Sequence, residues 1–466
     1  MNTLLSTLGS LRNAWRSIAG ANADDDSLRV KPDLPDKDAE KIRLRISECL
    51  QAKGGVVSAK ARAAGLGRTY LDLDDTGKHR FLHILAHDFG VSQDALDEAI
   101  AAYQHTDTAV ARLQQEQKLR DTLRLPARGL LMQFNALPQG VKFLVDLRAD
   151  LRRLSQDDAW MLSLDGDLKS LLSSWFDIGF LDMRRLNWDA PATLLEKLIQ
   201  YEAVHEIPSW DDLKGRLDAA DRRVFAFFHP RMPEEPLIFV QVALSSGLAT
   251  SIQRLLDLGH IPVDPERADT AVFYSISNTQ PGLNGVNLGD FLIKRVVDHL
   301  QRELPRLKTF ATLSPIPGFR DYIKRSFAHN AATASLPEEE LVALQIRFTH
   351  TDIDRILAEE DWLADSAAAR ALQNPLLRLA ARYLVTERSR GRAANPVANF
   401  HLSNGARIEQ LNWLADTSAK GLRESAGVMV NYLYKLSDIE KNHEAYRETC
   451  NIAVSNSVRN LLPQSA

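Results

Sequence analysis

The chain has 466 residues, 45% hydrophobic and 25% charged. That is more than one hydrophobic core usually organises, so at least two domains are expected. A formal charge of −4 argues against a general nucleic-acid binder, which would carry a basic surplus, and cysteine at 49 and 450 alone excludes a disulfide framework or a cysteine-rich zinc site.

In chain order, residues 1–36 read as a leader. It holds Arg12 and Arg16 but no acid before Asp24, and Leu4, Leu5, Leu8, Leu11, Trp15 and Ile18 fall at helical spacing. A helix that docks on a neighbouring surface or subunit is expected, with an amphipathic organelle presequence as the alternative. Residues 37–180 read as an all-helical domain. Ile42, Ile46, Cys49 and Leu50 recur at three and four, and Val91, Ala95, Leu96, Ala99, Ile100 and Tyr103 form a second helical face behind the N-cap Ser92. His79, His83 and His87 share one helix face, but a zinc site would need ligands from elsewhere and HExxH is absent, so no metal is expected.

From 181 to 466 the texture changes to a mixed α/β domain, which makes the whole an α+β multidomain chain. Val224–His229 and Leu237–Ala243 read as neighbouring antiparallel strands joined through Pro230–Pro236. The apolar run from Leu237 to Leu244 is too short to cross a bilayer as a helix. Next comes a compact unit, AVFYSISNTQPGLNGVNLGDFLIKRVVDHLQRELPRLKTFATLSPIPGF, from Ala271 to Phe319. It reads as a strand, a glycine-bearing loop, an amphipathic helix over Phe291–Leu304 and a second strand. Backbone NH groups at such a loop and helix start hold phosphate, with Lys294, Arg295 or Arg302 available to add charge. The spacing of Gly282, Gly285 and Gly289 matches neither GxGxxG nor a P-loop and equally suits an ordinary strand-to-helix turn. Ser314 lies at the end of the second strand, before the rigid turn made by Pro315, Pro317 and Gly318. Val397–Leu402, Arg407–Leu414 and Gly427–Tyr434 read as further strands, which places His401 and Tyr434 in strands where, on local pattern alone, a structural role is the first reading.

Taken in order, FYSISNTQPGLNGVNLGDFLIKRVV, TLSPIPGF, NPVANFHLSNGA and NWLADTSAKGL…GVMVNYLY resemble the malonyl-CoA decarboxylase family over most of the chain. The resemblance implies a helical N-terminal domain used in oligomer assembly and a GNAT-like catalytic domain. It implies that Asn284, Gly285, Val286, Asn287, Leu288, Gly289 and Asp290 bind the CoA moiety and that Ser314, His401 and Tyr434 form the catalytic set. Some relatives carry an acid in this loop where Asn287 stands, so no acid role is carried over. The implied partner is malonyl-CoA, and its thioester is its own electron sink, so no pyridoxal phosphate, thiamine, biotin or metal is expected. A GNAT-type acetyltransferase and a non-catalytic acyl-CoA sensor are the alternatives. A homo-oligomer, dimer or tetramer, is expected. Without a peroxisomal or secretory signal the cytoplasm is the expected compartment.

Overall fold

The computed structural model describes Trp15 and residues 28–51, 55–106, 108–176, 181–286, 292–328, 336–358 and 360–462. Of the leader's apolar set, Trp15 alone falls among them. The chain divides into two compact units. The first takes the residues up to Asp182 with Phe227–Leu237 and Asn278–Leu288; the second takes Met183–Ala226, Ile238–Ser277 and Gly289–Ala466.

The N-terminal stretch of the first unit is helical, with helices at Asp36–Leu50, Gly55–Asp72, Asp75–His87, Gln93–Gln104, Ala109–Thr122, Ala127–Asn135, Gly140–Leu154 and Ala159–Trp175. Their starts follow capping chemistry: Asp74 accepts from Gly77 N, Ser92 from Ala95 N, and Asp158 from Trp160 N and Met161 N. Ile42, Ile46 and Cys49 are buried as their spacing requires. The face carrying Ile100 differs, for the Gln93–Gln104 helix has its predicted cap but buries none of its residues. Trp15 is fully buried, stacked on Phe134 and edge-on to Phe143, and its Nε1 donates to Pro138 O at 2.6 Å.

Eight strands form one sheet: β1 (Asp182–Leu186), β2 (Arg222–His229), β3 (Met232–Ser245), β4 (Thr270–Asn278), β5 (Thr309–Thr312), β6 (Ser314–Pro315), β9 (Arg407–Asn412) and β10 (Met429–Leu433). Their order is β1-β2-β3-β4-β5-β10-β6, with β9 also on β10. A separate two-stranded ribbon pairs β7 (Arg388–Ser389) with β8 (Arg392–Ala393). The Pro230–Pro236 connection is shorter than its prolines suggest. Only Pro230 and Arg231 turn, and β3 already runs through Pro233 and Pro236. Proline lacks an N–H but keeps its carbonyl, and Pro236 O is used here by Thr279 and Gln280.

β4 and β5 are parallel, with Phe273 opposite Thr312, and the helix Leu292–Glu303 supplies the crossover between them. β10 runs antiparallel to β5, β6 and β9, and its register with β9 shifts between Asn431 and Tyr432. Beneath these strands Ala243, Ile252, Val272, Tyr274, Leu313, Ala415 and Met429 pack as one buried cluster.

Candidate active site

The site starts from strand alternation. Leu313 is fully buried, and its N–H donates to Phe273 O at 3.0 Å, so Thr312 and Ser314 share the opposite face. The same period puts Tyr432 and Tyr434 on one face where β10 ends. Tyr434 lies just past the strand but still donates its N–H to Phe310 O at 2.8 Å.

His401 corrects the strand assignment for its segment, because it sits in a helix, Pro396–Ser403. The local cause is capping. Asn395 accepts from Ala398 N at 2.8 Å, Pro396 occupies the first turn, and Gly405 at φ +80 leads the chain away. Asn395 is fully buried and also donates from its Nδ2 to Pro317 O at 2.8 Å, which ties the histidine helix to the loop after Ser314. Tyr383 OH donates to the same carbonyl at 3.2 Å, and Ile316 N to Ser425 Oγ at 3.1 Å. Gly318 has φ +78, and a Cβ there would come within 2.9 Å of Tyr383 OH.

These elements bring Ser314, His401 and Tyr434 together. His401 Nε2 lies 3.3 Å from Ser314 Oγ, and Nδ1 lies 2.7 Å from Tyr434 OH. The imidazole is also stacked on Tyr432, with ring centroids 4.5 Å apart. Ser314 Oγ–H donates to Thr312 Oγ1 at 2.9 Å. Asn431 Nδ2 donates to Thr312 O at 2.7 Å, and Asn431 Oδ1 accepts from Asn412 at 2.7 Å. Burial pushes the His401 pKa down to about 3 and the Tyr434 phenol well above its ordinary range. Both groups are therefore neutral near pH 7. A buried, uncharged row of hydroxyl, imidazole and phenol suits proton delivery and hydrogen bonding to a developing negative charge, rather than pairing with a full charge.

The glycine loop belongs to the first unit as far as it is described. Gly285 is left-handed at φ +76, and a Cβ on Gly282 would fall 1.8 Å from Val145 O, so the chain there lies directly on the Gly140–Leu154 helix. Arg148 donates to Gly282 O at 2.6 Å and Asn284 O at 3.0 Å, and Arg152 also donates to Asn284 O. Asn287, Leu288, Gly289 and Asp290 lie outside the described residues. In the row of histidines, His83 Nδ1 meets Asp158 and His87 Nδ1 meets Asp88, each at 2.8 Å. Among the described residues no group of three or more His, Cys, Asp or Glu side chains is placed to hold a metal ion.

Thr312, Asn395, Asn431 and Tyr432 escaped the sequence reading. Only Asn395 carried a usable local signal, as an Asn-Pro pair opening a short helix.

Residues 179–466 match the malonyl-CoA decarboxylase C-terminal domain, and residues 89–176 match its N-terminal domain. Mitochondrial malonyl-CoA decarboxylases of Anser anser anser and Mus musculus are each 38% identical to the chain. The matches span 87% and 88% of this chain and 84% of each relative. Two crystal structures of malonyl-CoA decarboxylases share the fold at 41% identity and cover 91% of the chain. The Rhodopseudomonas palustris protein has a TM-score of 0.83 with 99% of its own length covered, and the Agrobacterium vitis protein 0.81 with 100%. With both domain types matched in order and relatives 38–41% identical over most of the chain, the chain belongs to the malonyl-CoA decarboxylase family.

Proposed function

We propose that the chain converts malonyl-CoA to acetyl-CoA and CO2, with Ser314, His401 and Tyr434 as its catalytic set. The observation that carries this reading is the buried, neutral contact row from Ser314 through His401 to Tyr434. The C–C bond to the carboxylate breaks as CO2 leaves, and its electron pair moves into the thioester carbonyl to give an enolate. One proton then joins the enolate carbon. The substrate supplies its own electron sink, so the reading includes no metal or organic cofactor.

What the protein must supply is then orientation, enolate stabilisation and a proton. A neutral hydrogen-bond donor can hold the departing carboxylate perpendicular to the thioester plane without binding the ground state strongly. One well-placed donor at the enolate oxygen contributes about 3–4 kcal/mol. Ser314 gives the proton to carbon, and His401 hydrogen-bonds the serine oxygen while that proton is away. The loop from Asn284 to Asp290 is assigned to the CoA moiety, and the clasp of Arg148 and Arg152 on Asn284 O holds its first residue.

Incubation of the purified protein with malonyl-CoA alone tests the reaction. Acetyl-CoA and CO2 in equal amounts are expected. An acetyltransferase would require an acceptor amine, a sensor would bind without turnover, and absence of CO2 across pH 6–9 would overturn the reading. EDTA is expected to leave turnover unchanged. Residence in the cytoplasm and self-association belong to the same proposal and are checked by cell fractionation and light scattering.

A further inference from the structure

Beside Ser314 stands a second hydroxyl for which the reaction has so far no use. Thr312 is 1% exposed, and its Oγ1 accepts two hydrogen bonds, from Ser314 Oγ–H at 2.9 Å and from Tyr432 N–H at 3.2 Å. We propose that Thr312 is a positioning residue that fixes where the Ser314 proton rests and, through that serine, which nitrogen of His401 carries hydrogen.

A serine hydroxyl has one hydrogen and two lone pairs. With that hydrogen directed at Thr312, Ser314 can only accept in its 3.3 Å contact with His401, so Nε2 is the protonated nitrogen. A neutral imidazole carries a single N–H. Nδ1 is therefore bare and accepts from Tyr434 O–H at 2.7 Å. Every bond in the row then points the same way, from Tyr434 to His401 to Ser314 to Thr312. Both lone pairs of Thr312 Oγ1 are occupied, so the threonine holds the serine's proton in place and does not remove it.

This polarity has a chemical meaning that rests on the decarboxylase reading. A serine nucleophile needs the opposite tautomer, with Nε2 free to take its proton. Here the resting serine keeps its proton and receives a hydrogen bond from Nε2–H. Rotation about Cβ–Oγ swings the hydrogen from Thr312 to the enolate carbon, where the enolate pair forms the new C–H bond as the O–H bond breaks. Nε2–H stabilises the serine oxygen until one proton from water restores it, which accounts for the one proton consumed per turnover.

The test pairs ¹⁵N-histidine NMR with kinetics. In the wild-type protein the His401 signals, assigned by their loss in His401→Asn, are expected to place hydrogen on Nε2. In Thr312→Val, which keeps shape but accepts nothing, the hydrogen is expected on Nδ1, with kcat about tenfold lower and KM within about threefold. Thr312→Ser is expected to restore both. A merely structural threonine would lower the melting temperature without moving the imidazole proton. Hydrogen on Nδ1 in the wild type, unchanged kcat in Thr312→Val, or Thr312→Ser as slow as Thr312→Val would each overturn the proposal. The wild-type spectrum requires no turnover and no variant at position 312, so it decides the tautomer even if malonyl-CoA yields no CO2 or the valine protein does not fold.

Discussion

His401 is kept uncharged by burial alone, with its pKa pushed down to about 3. The unfolded chain takes up that proton near pH 6.5, whereas the folded chain refuses it until about pH 3. Between these values the unfolded state binds more protons, so stability falls as the pH drops through this window and is complete above it. His205, pushed down to about 4, adds the same sign. Urea midpoints at pH 7 and pH 5 are expected to differ less in His401→Asn than in the wild type. Turnover should show no ionisation of His401 above about pH 5, and an acid limb in kcat near 6.5 that vanishes in His401→Asn would contradict the assignment. Ser314→Ala and His401→Asn are each expected to lower kcat about 100-fold or more with substrate binding largely kept. Tyr434→Phe removes one hydrogen bond to Nδ1 and is expected to cost about tenfold.

At the scale of elements, each unit offers one short segment for test. Asn395 caps the histidine helix and tethers Pro317, so Asn395→Ala should destabilise by about 1–2 kcal/mol through the cap and lower kcat as the helix loses its hold on the serine loop. Gly282 lies against the backbone of Val145. Gly282→Ala is expected to cost roughly 1–3 kcal/mol and to raise KM for malonyl-CoA more than it lowers kcat, measured by thermal melts and steady-state kinetics.

These elements also mark where sequence reading worked. The strand over Thr270–Asn278, the helix over Leu292–Glu303 and the strand over Thr309–Thr312 were legible because alternation and 3.6-residue periodicity are clear there. The helix of His401 was not, since its eight residues are too few to establish a period and its apolar Phe400 and Leu402 mimic strand alternation. The contact of Ser314 with His401 spans 87 positions, and no local pattern encodes such a distance, so that pairing entered through family likeness. Thr312 gave no signal at all, because a buried hydroxyl in a strand differs from its neighbours only once its partners are seen.

At the scale of the whole molecule, neither unit is one continuous stretch of chain. The first needs Phe227–Leu237 and Asn278–Leu288 in addition to its helices. Without them Arg148 loses Gly282 O and Asn284 O, and Asn135 loses Arg231. A fragment ending at Asp182 is therefore expected to melt without a cooperative transition, unlike the full chain, in circular dichroism.

Trp15 gives the amino terminus a further meaning. Its indole lies so close to Gly67 that a Cβ there would come within 2.1 Å of the ring, and Arg68 donates to its carbonyl at 2.8 Å. A protease that trimmed the chain past this residue would empty a socket lined by Gly67, Phe134 and Phe143, a loss of about 3–5 kcal/mol for a tryptophan. Maturation by shortening and the integrity of the helical unit are thus set against each other, and the blue-shifted emission of a sealed indole would register any cut on the wrong side.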